Sequence, residues 1–302
     1  MKVRMYNVGF GDCFCLRDRK KSLLVDFGTN NSRIEGRPRR EIFDVIISDL
    51  STIKSKNLLL THFHMDHLSG LLYMMKKKDI SVDFGKIYLP DVFSKKEMSR
   101  TLVLLLLADL LKESGLPSRQ VSLFALVDAL LENKQNVELL SRGKLFENKY
   151  QALWPDTDVI RKETDEVYNR ICEDGKFKEV MDVLLEFAEK LRLIVWSMTA
   201  EGNKPAETVE KETDLTASEL TEQPEVRQKI IRAYVYEREF RRIKALPDFK
   251  KLLAWLNENQ INLRQFKHKI SIVFQNARDG ELNLLFTGDA PVSYTHLRAH
   301  ET

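Results

Sequence analysis

The chain has little of several things. Three cysteines in 302 residues, Cys13, Cys15 and Cys172, give neither a disulfide framework nor the spacing of a thiolate zinc site. That excludes the small stapled classes of secreted domain and fits a cytoplasmic protein with thiols as small buried apolar groups. Long hydrophobic runs are missing too. The longest, Leu102 to Leu111, is interrupted at Ala108 and Asp109 and falls short of the ~20 residues a membrane-spanning helix needs. No apolar signal segment precedes the first strand-like residues, so no membrane partner is expected. Charge of one sign is also lacking: 48 basic against 45 acidic residues leave a net +3, with no basic stripe, which neither demands nor excludes nucleic acid. Histidine is scarce, at six residues.

What is present is enough apolar character, 43% against 31% charged, to bury a full core as one elaborated domain or a domain with an insertion. Half of the histidine is concentrated in one stretch. Residues 57–72 read NLLLTHFHMDHLSGLL, which places His62, His64, Asp66 and His67 within six residues. The run Leu58 to Leu60 reads as a short buried strand and the segment from Leu68 as the start of a helix, so the four side chains lie on the intervening loop. Open α/β sheets build sites at that end of their strands. His-x-His puts two imidazoles on one side of an extended backbone, whose side-chain period is two residues; that pair can hold one metal ion. Asp66 and His67 follow once the chain has begun to turn, and aim at a second position beside the first. Imidazole and carboxylate without thiolate suit zinc, with manganese or iron(II) as the other fits. Two ions are expected.

The segment Thr61 to Gly70, THFHMDHLSG, resembles the T-H-x-H-x-D-H-x-x-G signature of the metallo-β-lactamase-fold hydrolases. The resemblance implies an α/β protein, the αββα metallo-β-lactamase sandwich, with a one- or two-metal site at one edge. VGFGD at Val8 to Asp12, followed by LLVDFG at Leu23 to Gly28, resembles the opening of that fold in the branch that includes the extracellular domain of DNA-uptake competence proteins. In such a fold Asp26 lies near the metals and supports the ligand loop by hydrogen bonds. Phe286-Thr287-Gly288-Asp289 resembles the family motif whose aspartate bridges the two metals, and His268 resembles the histidine that completes the first metal's set. The implied ligands are His62, His64, Asp66, His67, Asp289 and His268, with Asp66 also orienting the attacking water. The family's last histidine has no counterpart. The tail Val292 to Thr302 looks like the in-frame translation of a sequencing adaptor, so the fold is expected to be incomplete at its C-terminus, and His296 and His300 are set aside.

Periodicity lays out the rest of the chain. Met1 to Leu16 alternates and breaks at Gly9 and Gly11, as two edge strands joined by a tight glycine turn. A helix over residues 41–53 carries Ile42, Val45, Ile46, Leu50 and Ile53 on one face, and a strand follows within residues 83–91. These make residues 1–92 the first half of the metallo-β-lactamase-like domain. Residues 93–262 read as a large, mostly helical insertion. Within it, two apolar-striped helices on either side of Gly115 form a helical hairpin, core strands resume at 143–155, and a flexible linker occupies 199–224. Arg238, Arg241, Arg242 and Lys244 fall on a solvated helix face. Residues 263–291 begin the second half, with two strand-like runs flanking a hairpin turn at Asp279-Gly280. With that turn, position n faces 559 minus n, so Asp289 faces Ile270, His268 faces Pro291, and both lie at the open end of one hairpin.

These residues point to metal-assisted hydrolysis, with water activated near neutral pH and no Ser or Cys nucleophile required. The VGFGD, Leu153-Trp154-Pro155 and Thr287-to-Ala290 segments favour, by resemblance to the competence-like branch, a phosphodiester substrate in a nucleic acid or nucleotide. A thioesterase or lactonase of small acyl substrates is the second enzyme class. A third reading is a non-catalytic, metal-stabilised scaffold that binds a protein partner through the helical insertion, since one fold hosts many functions.

Overall fold

The computed structural model describes residues 1–18, 21–77, 83–112, 122–173, 175–202, 242–259, 261–276 and 284–291. In the larger of its two main sheets, β1 (Lys2–Met5), β2 (Phe14–Asp18) and β3 (Lys21–Val25) run antiparallel. The sheet continues from β3 through β6 (Ser55–Leu59), β7 (Ile87–Pro90) and β8 (Val137–Leu140), all parallel. A small ribbon, β4 (Arg33–Ile34) with β5 (Arg37–Pro38), precedes the first helix. The second sheet is antiparallel, built from β9 (Leu145–Phe146), β10 (Tyr150–Trp154), β11 (Val273–Asn276) and β12 (Leu285–Phe286) in the order β12-β11-β10-β9.

Side-chain alternation along the strands makes two cores from one sheet. Leu23, Val25, Leu59, Tyr88 and Leu140 face inward onto Phe146, Tyr150, Ala152, Ile272 and Phe274 of the second sheet side. Their neighbours Leu24, Leu58, Ile87, Leu89 and Leu139 belong to a larger core shared with the helices. The fold is mixed α/β, consistent with the metallo-β-lactamase sandwich that the resemblance implies.

The helices are α1 (Arg39–Ser51), α2 (Met65–Lys76), α3 (Ser99–Lys112), α4 (Ser122–Glu132), α5 (Thr157–Cys172), α6 (Lys178–Ser197), α7 (Phe249–Glu258) and α8 (Arg264–Lys269). Helix α1 buries Phe43, Ile46, Ile47 and Leu50, whereas Val45, expected on that face, is 55% exposed. The α3–α4 hairpin is corrected more substantially. Thr101 to Leu110 are all buried, and α3 packs against α5, α6 and α8 while α4 lies on α2 and α6. A helix apolar all round can turn no face to water, so it is surrounded rather than paired.

Two strand expectations also change. Of the first two strands β1 alone lies at a sheet edge, and it joins β2 through a loop running from Tyr6 to Cys13 rather than a tight turn. That loop is drawn over the end of β3 by Asn30 N–H donating to the Phe10 carbonyl at 2.8 Å and Gly28 N–H donating to that of Asp12 at 3.3 Å. Between β11 and β12, Phe274 pairs with Phe286 and Gln275 with Leu285, so paired numbers sum to 560 and the register lies one residue beyond the expected one. Asp289 therefore comes opposite Ser271, whose Oγ accepts its N–H at 3.1 Å. The stacked Phe274 and Phe286 rings, 4.9 Å apart, hold that register. The Asp279-Gly280 turn, the Gly115 break, residues 203–224 of the linker, Arg238, Arg241 and the tail 292–302 lie outside the described residues. No helix among the described residues is long and apolar enough to cross a membrane.

Candidate metal centre

The strand β6 runs through Leu60 into Thr61, and α2 opens at Met65. Asp66 and His67 thus lie in the first turn of a helix rather than on a loop, with His64 as its extended N-cap residue. Glycine makes the close approach possible. A Cβ on Gly28 would lie 2.6 Å from the backbone of Asp66 and Leu68, and one on Gly11 would collide with the Gly28 carbonyl. The first-strand loop therefore packs directly on the ligand segment.

Asp26, in the left-handed region at φ 55°, organises this junction. Its Oδ1 accepts the Thr61 N–H at 2.7 Å and its Oδ2 accepts the Thr61 hydroxyl at 2.8 Å. The same Oδ2 is 2.9 Å from His67 Nδ1. Because the Thr61 hydroxyl spends its proton on Asp26, its oxygen is left to accept from His62 Nδ1, 3.1 Å away. His62 then carries its proton on Nδ1 and presents the Nε2 lone pair to the cleft, while His67 Nδ1 donates to Asp26 and turns its Nε2 toward Asp289. A non-glycine residue held at positive φ persists where its surroundings over-determine it, and three hydrogen bonds do so here.

Four donors converge. Ligand atoms of His62, His64, His268 and Asp289 all lie within 4.8 Å of one another. His62 Nε2 is 2.9 Å from His64 Nδ1, and Asp289 Oδ2 is 3.6 Å from His62 Nε2, 3.5 Å from His67 Nε2 and 3.3 Å from His268 Nδ1. Asp289 thus faces both the four-donor group and His67. Behind His67, a second group joins it to Asp26 and Asp12, with Asp12 Oδ2 3.9 Å from His67 Nδ1. Asp66 belongs to neither group. Its carbonyl accepts the Asp12 N–H at 3.4 Å, and its first-turn position sets its carboxylate at the positive end of α2.

The electrostatics favour a cation at this place. Burial, reinforced by the neighbouring His67 and His64, pushes the His62 imidazole well below its ordinary range, so it is a neutral ligand-ready ring. Burial works against a charged His67, yet Asp26 and Asp289 hold it protonated up to about 11. The His268 and His67 rings facing it at 3.3 and 3.5 Å outweigh burial and keep the Asp289 carboxyl well below the usual carboxylate range. Burial raises Asp12, against the pull of His67. His268 Nδ1 is buried with no hydrogen-bond partner. A buried nitrogen without a partner, beside two imidazoles and an ionised carboxylate, fits a metal ion as the missing partner.

His268 and Asp289 reach the centre from outside the local motif. His268 sits in the last turn of α8, five residues ahead of β11, the strand the sequence suggests beyond it. Asp289 follows Gly288, which has φ +48° and stands against Ser271 Oγ and Thr61, so a side chain there would be strained and crowded. The side chains of His268 and Asp289 are 33% and 34% exposed, whereas those of His62 and His67 are buried. The centre is therefore open to solvent on the His268–Asp289 side. Two contributors escape the sequence reading. Thr61 is visible only as the first letter of the motif, and Asp12 lies within VGFGD, its sole signal being glycines on either side of Phe10 that mark a close-packed loop.

Residues 6–83 match the family model of the metallo-beta-lactamase superfamily. The matched span holds Asp12, Asp26, Thr61, His62, His64, Asp66 and His67, and ends before His268 and Asp289. No curated protein and no solved structure matches the chain. The superfamily typically binds metal ions, and the His/Asp group described above is able to hold one.

Proposed function

We propose that the protein is a zinc-dependent hydrolase of the competence-like branch of the metallo-β-lactamase fold, acting on a phosphodiester in a nucleic acid or nucleotide. The observation that carries the hydrolase reading is the convergence of His62, His64, His268 and Asp289, with one ring nitrogen left without a hydrogen-bond partner. The substrate class is supported by the resemblance of the VGFGD, Leu-Trp-Pro and Thr-Gly-Asp-Ala segments to that branch. His62, His64, His268 and Asp289 would hold one zinc ion, and Asp66, His67 and Asp289 a second. Zinc supplies Lewis acidity there and makes water nucleophilic near neutral pH.

The chain's own residues supply the remainder. Asp26 and Thr61 engage the Nδ1 atoms of His67 and His62, so that Nε2 is the atom each ring turns to the cleft. Asp289, ionised and a third exposed, is positioned to accept a hydrogen bond from water entering on the open side. Asp66 is assigned the proton-accepting, water-orienting role on its place in the T-H-x-H-x-D-H pattern. No Ser or Cys nucleophile is needed, and Cys13 and Cys15 are buried. The three free thiols support a reducing, cytoplasmic setting. The helices of residues 93–262 are a surface for a protein partner.

The test is turnover of bis-p-nitrophenyl phosphate against that of a thioester, before and after chelation and after return of zinc. Phosphodiester turnover that is lost on chelation and restored by zinc supports the reading. Thioester turnover alone would replace the substrate class, and full turnover without metal would end the hydrolase mechanism.

A further inference from the structure

A buried ion pair beside the centre is used by none of the chemistry above. The Lys267 ammonium meets the Asp109 carboxylate and donates to Ser122 Oγ at 3.2 Å, while Ser122 Oγ donates to Asp109 Oδ2 at 3.0 Å. All three residues are buried. Taking two charges out of water costs several kcal/mol per ion, and an apolar pair of similar volume commonly stabilises a core as well or better. Bulk stability is therefore a poor reason for the pair, and its position offers a better one.

Helix α8 has six residues, too few to hold its own geometry. Three consecutive residues leave it in three directions. Lys267 reaches α3 and α4 through Asp109 and Ser122, and His268 enters the donor group. Lys269 reaches Glu163 on α5 at 2.5 Å, and its carbonyl accepts from Trp154 Nε1 of β10. From the front, His268 Nδ1 has only the Asp289 carboxylate 3.3 Å away and no formed hydrogen bond, so its place is set chiefly from behind. Successive helical residues are about 100° apart, and a rotation of α8 that moved Lys267 off Asp109 would carry His268 out of the donor group.

We propose that Lys267 and Asp109, closed by Ser122, are positioning residues for His268. The buried pair fixes the rotation of α8, keeps His268 Nδ1 among the four donors, and so makes metal retention depend on α3 and α4. This rests on the metal-centre reading of the preceding subsection. It assigns part of the helical region a role in the site's chemistry, through geometry alone.

The experiment replaces the pair together, Lys267→Met with Asp109→Leu, which keeps the volume and leaves no lone buried charge. Three readouts are taken: zinc affinity by chelator competition, the visible spectrum of the cobalt(II)-loaded protein, and the ring 15N resonances of His268 in metal-free protein. Zinc affinity is expected to fall about 10- to 100-fold, the range for partners that orient a ligand. The cobalt spectrum should change, and the His268 ring signals should shift or broaden while those of His62 and His67 stay. Adding His268→Ala to the pair should cost nothing further. Unchanged affinity and unchanged His268 signals in the folded double variant would overturn the proposal, as would losses that multiply with His268→Ala. Should the double variant not fold, Ser122→Ala keeps both charges and is expected to lower zinc affinity roughly two- to tenfold; no change would count equally against the proposal. A wild-type chain that takes up no zinc defeats the metal reading instead, and the His268 ring signals then judge the positioning by themselves.

Discussion

The two sides of the candidate centre are built on different physical plans. On one side His62, His64 and His67 come from a single strand-to-helix junction, His62 and His67 buried and His64 half-buried, with Asp26 and Thr61 hydrogen-bonded beneath them. On the other, His268 and Asp289 come from the last turn of a short helix and a glycine turn, each about a third exposed. The first side is preorganised by covalent neighbourhood: once β6 pairs with β3 and β7, its ligands have few places to go. The second is held by contacts between distant segments, Lys267 with Asp109, Lys269 with Glu163 and Asp289 with Ser271. A local site half should fail only when its own residues change. The assembled half should also fail when the packing behind it changes.

The largest effect is expected from His62→Ala. It removes the fully buried donor that lies 2.9 Å from His64 and 3.6 Å from Asp289, and metal binding and turnover should both drop by more than about 100-fold, the upper figure for losing only an orienting partner. Metal content by mass spectrometry beside initial rates would check this. Retention of stoichiometric zinc would show that the exposed half alone can hold the ion, and would invert the comparison.

Asp26→Ala should come next, and it should act on two quantities together. Metal affinity is expected to fall about 10- to 100-fold, because both His67 and, through Thr61, His62 lose their tautomer control. Stability should fall by about 1–3 kcal/mol, because the buried Thr61 N–H loses its acceptor. Denaturant unfolding paired with zinc titration would separate the two. A stability loss with intact zinc affinity would show that Asp26 serves the junction's fold and not its ligands.

His268→Ala should be milder on the fold and selective for the metal. The side chain is partly exposed and its Nδ1 has no hydrogen bond to lose, so melting should move little, while the donor set drops from four to three. Zinc affinity should weaken about tenfold or more, read by the same chelator competition. Equal losses of stability and affinity would mean that the exposed half is as much a structural element as the buried one.

This division also explains which features were legible in the sequence. The β6–α2 junction was plain because every determinant is local: an apolar run, then ligands at spacings that strand and helix geometry convert directly into directions. The parallel strands β6 and β7 and the helix α1 were readable for the same reason. Asp289 was reachable through its Thr-Gly-Asp turn. The hairpin register was missed by one residue, because it is set by Phe274 stacking on Phe286 across the pair, which turn counting does not see. The surroundings of α3 were misjudged because periodicity says which face is apolar, not which helices will cover an apolar cylinder. Asp12 was overlooked for a related reason: it enters the centre only because Gly11 and Gly28 let two loops touch.

The smallest effect tests whether disturbance travels along the assembled side. Asp156 caps α5, its carboxylate accepting from the Asp158 and Val159 N–H groups, and α5 carries the Glu163 that holds Lys269. Burial tends to raise the Asp156 pKa, but the Arg142 side chain and the two capping N–H groups outweigh it and lower the value. A carboxyl lowered on folding stabilises the protein above its unfolded pKa of about 3.9 and loses that contribution as pH falls through the folded value. Asp156→Ala should therefore cost about 1 kcal/mol at neutral pH, and the variant and wild type should converge in acid. Zinc affinity should stay unchanged, since fraying the first turn of α5 leaves Glu163 more than a turn away. If affinity falls together with stability, the α5 contact to Lys269 is a second route by which packing reaches His268, and the assembled half is coupled through both of its anchors rather than through the Lys267–Asp109 pair alone.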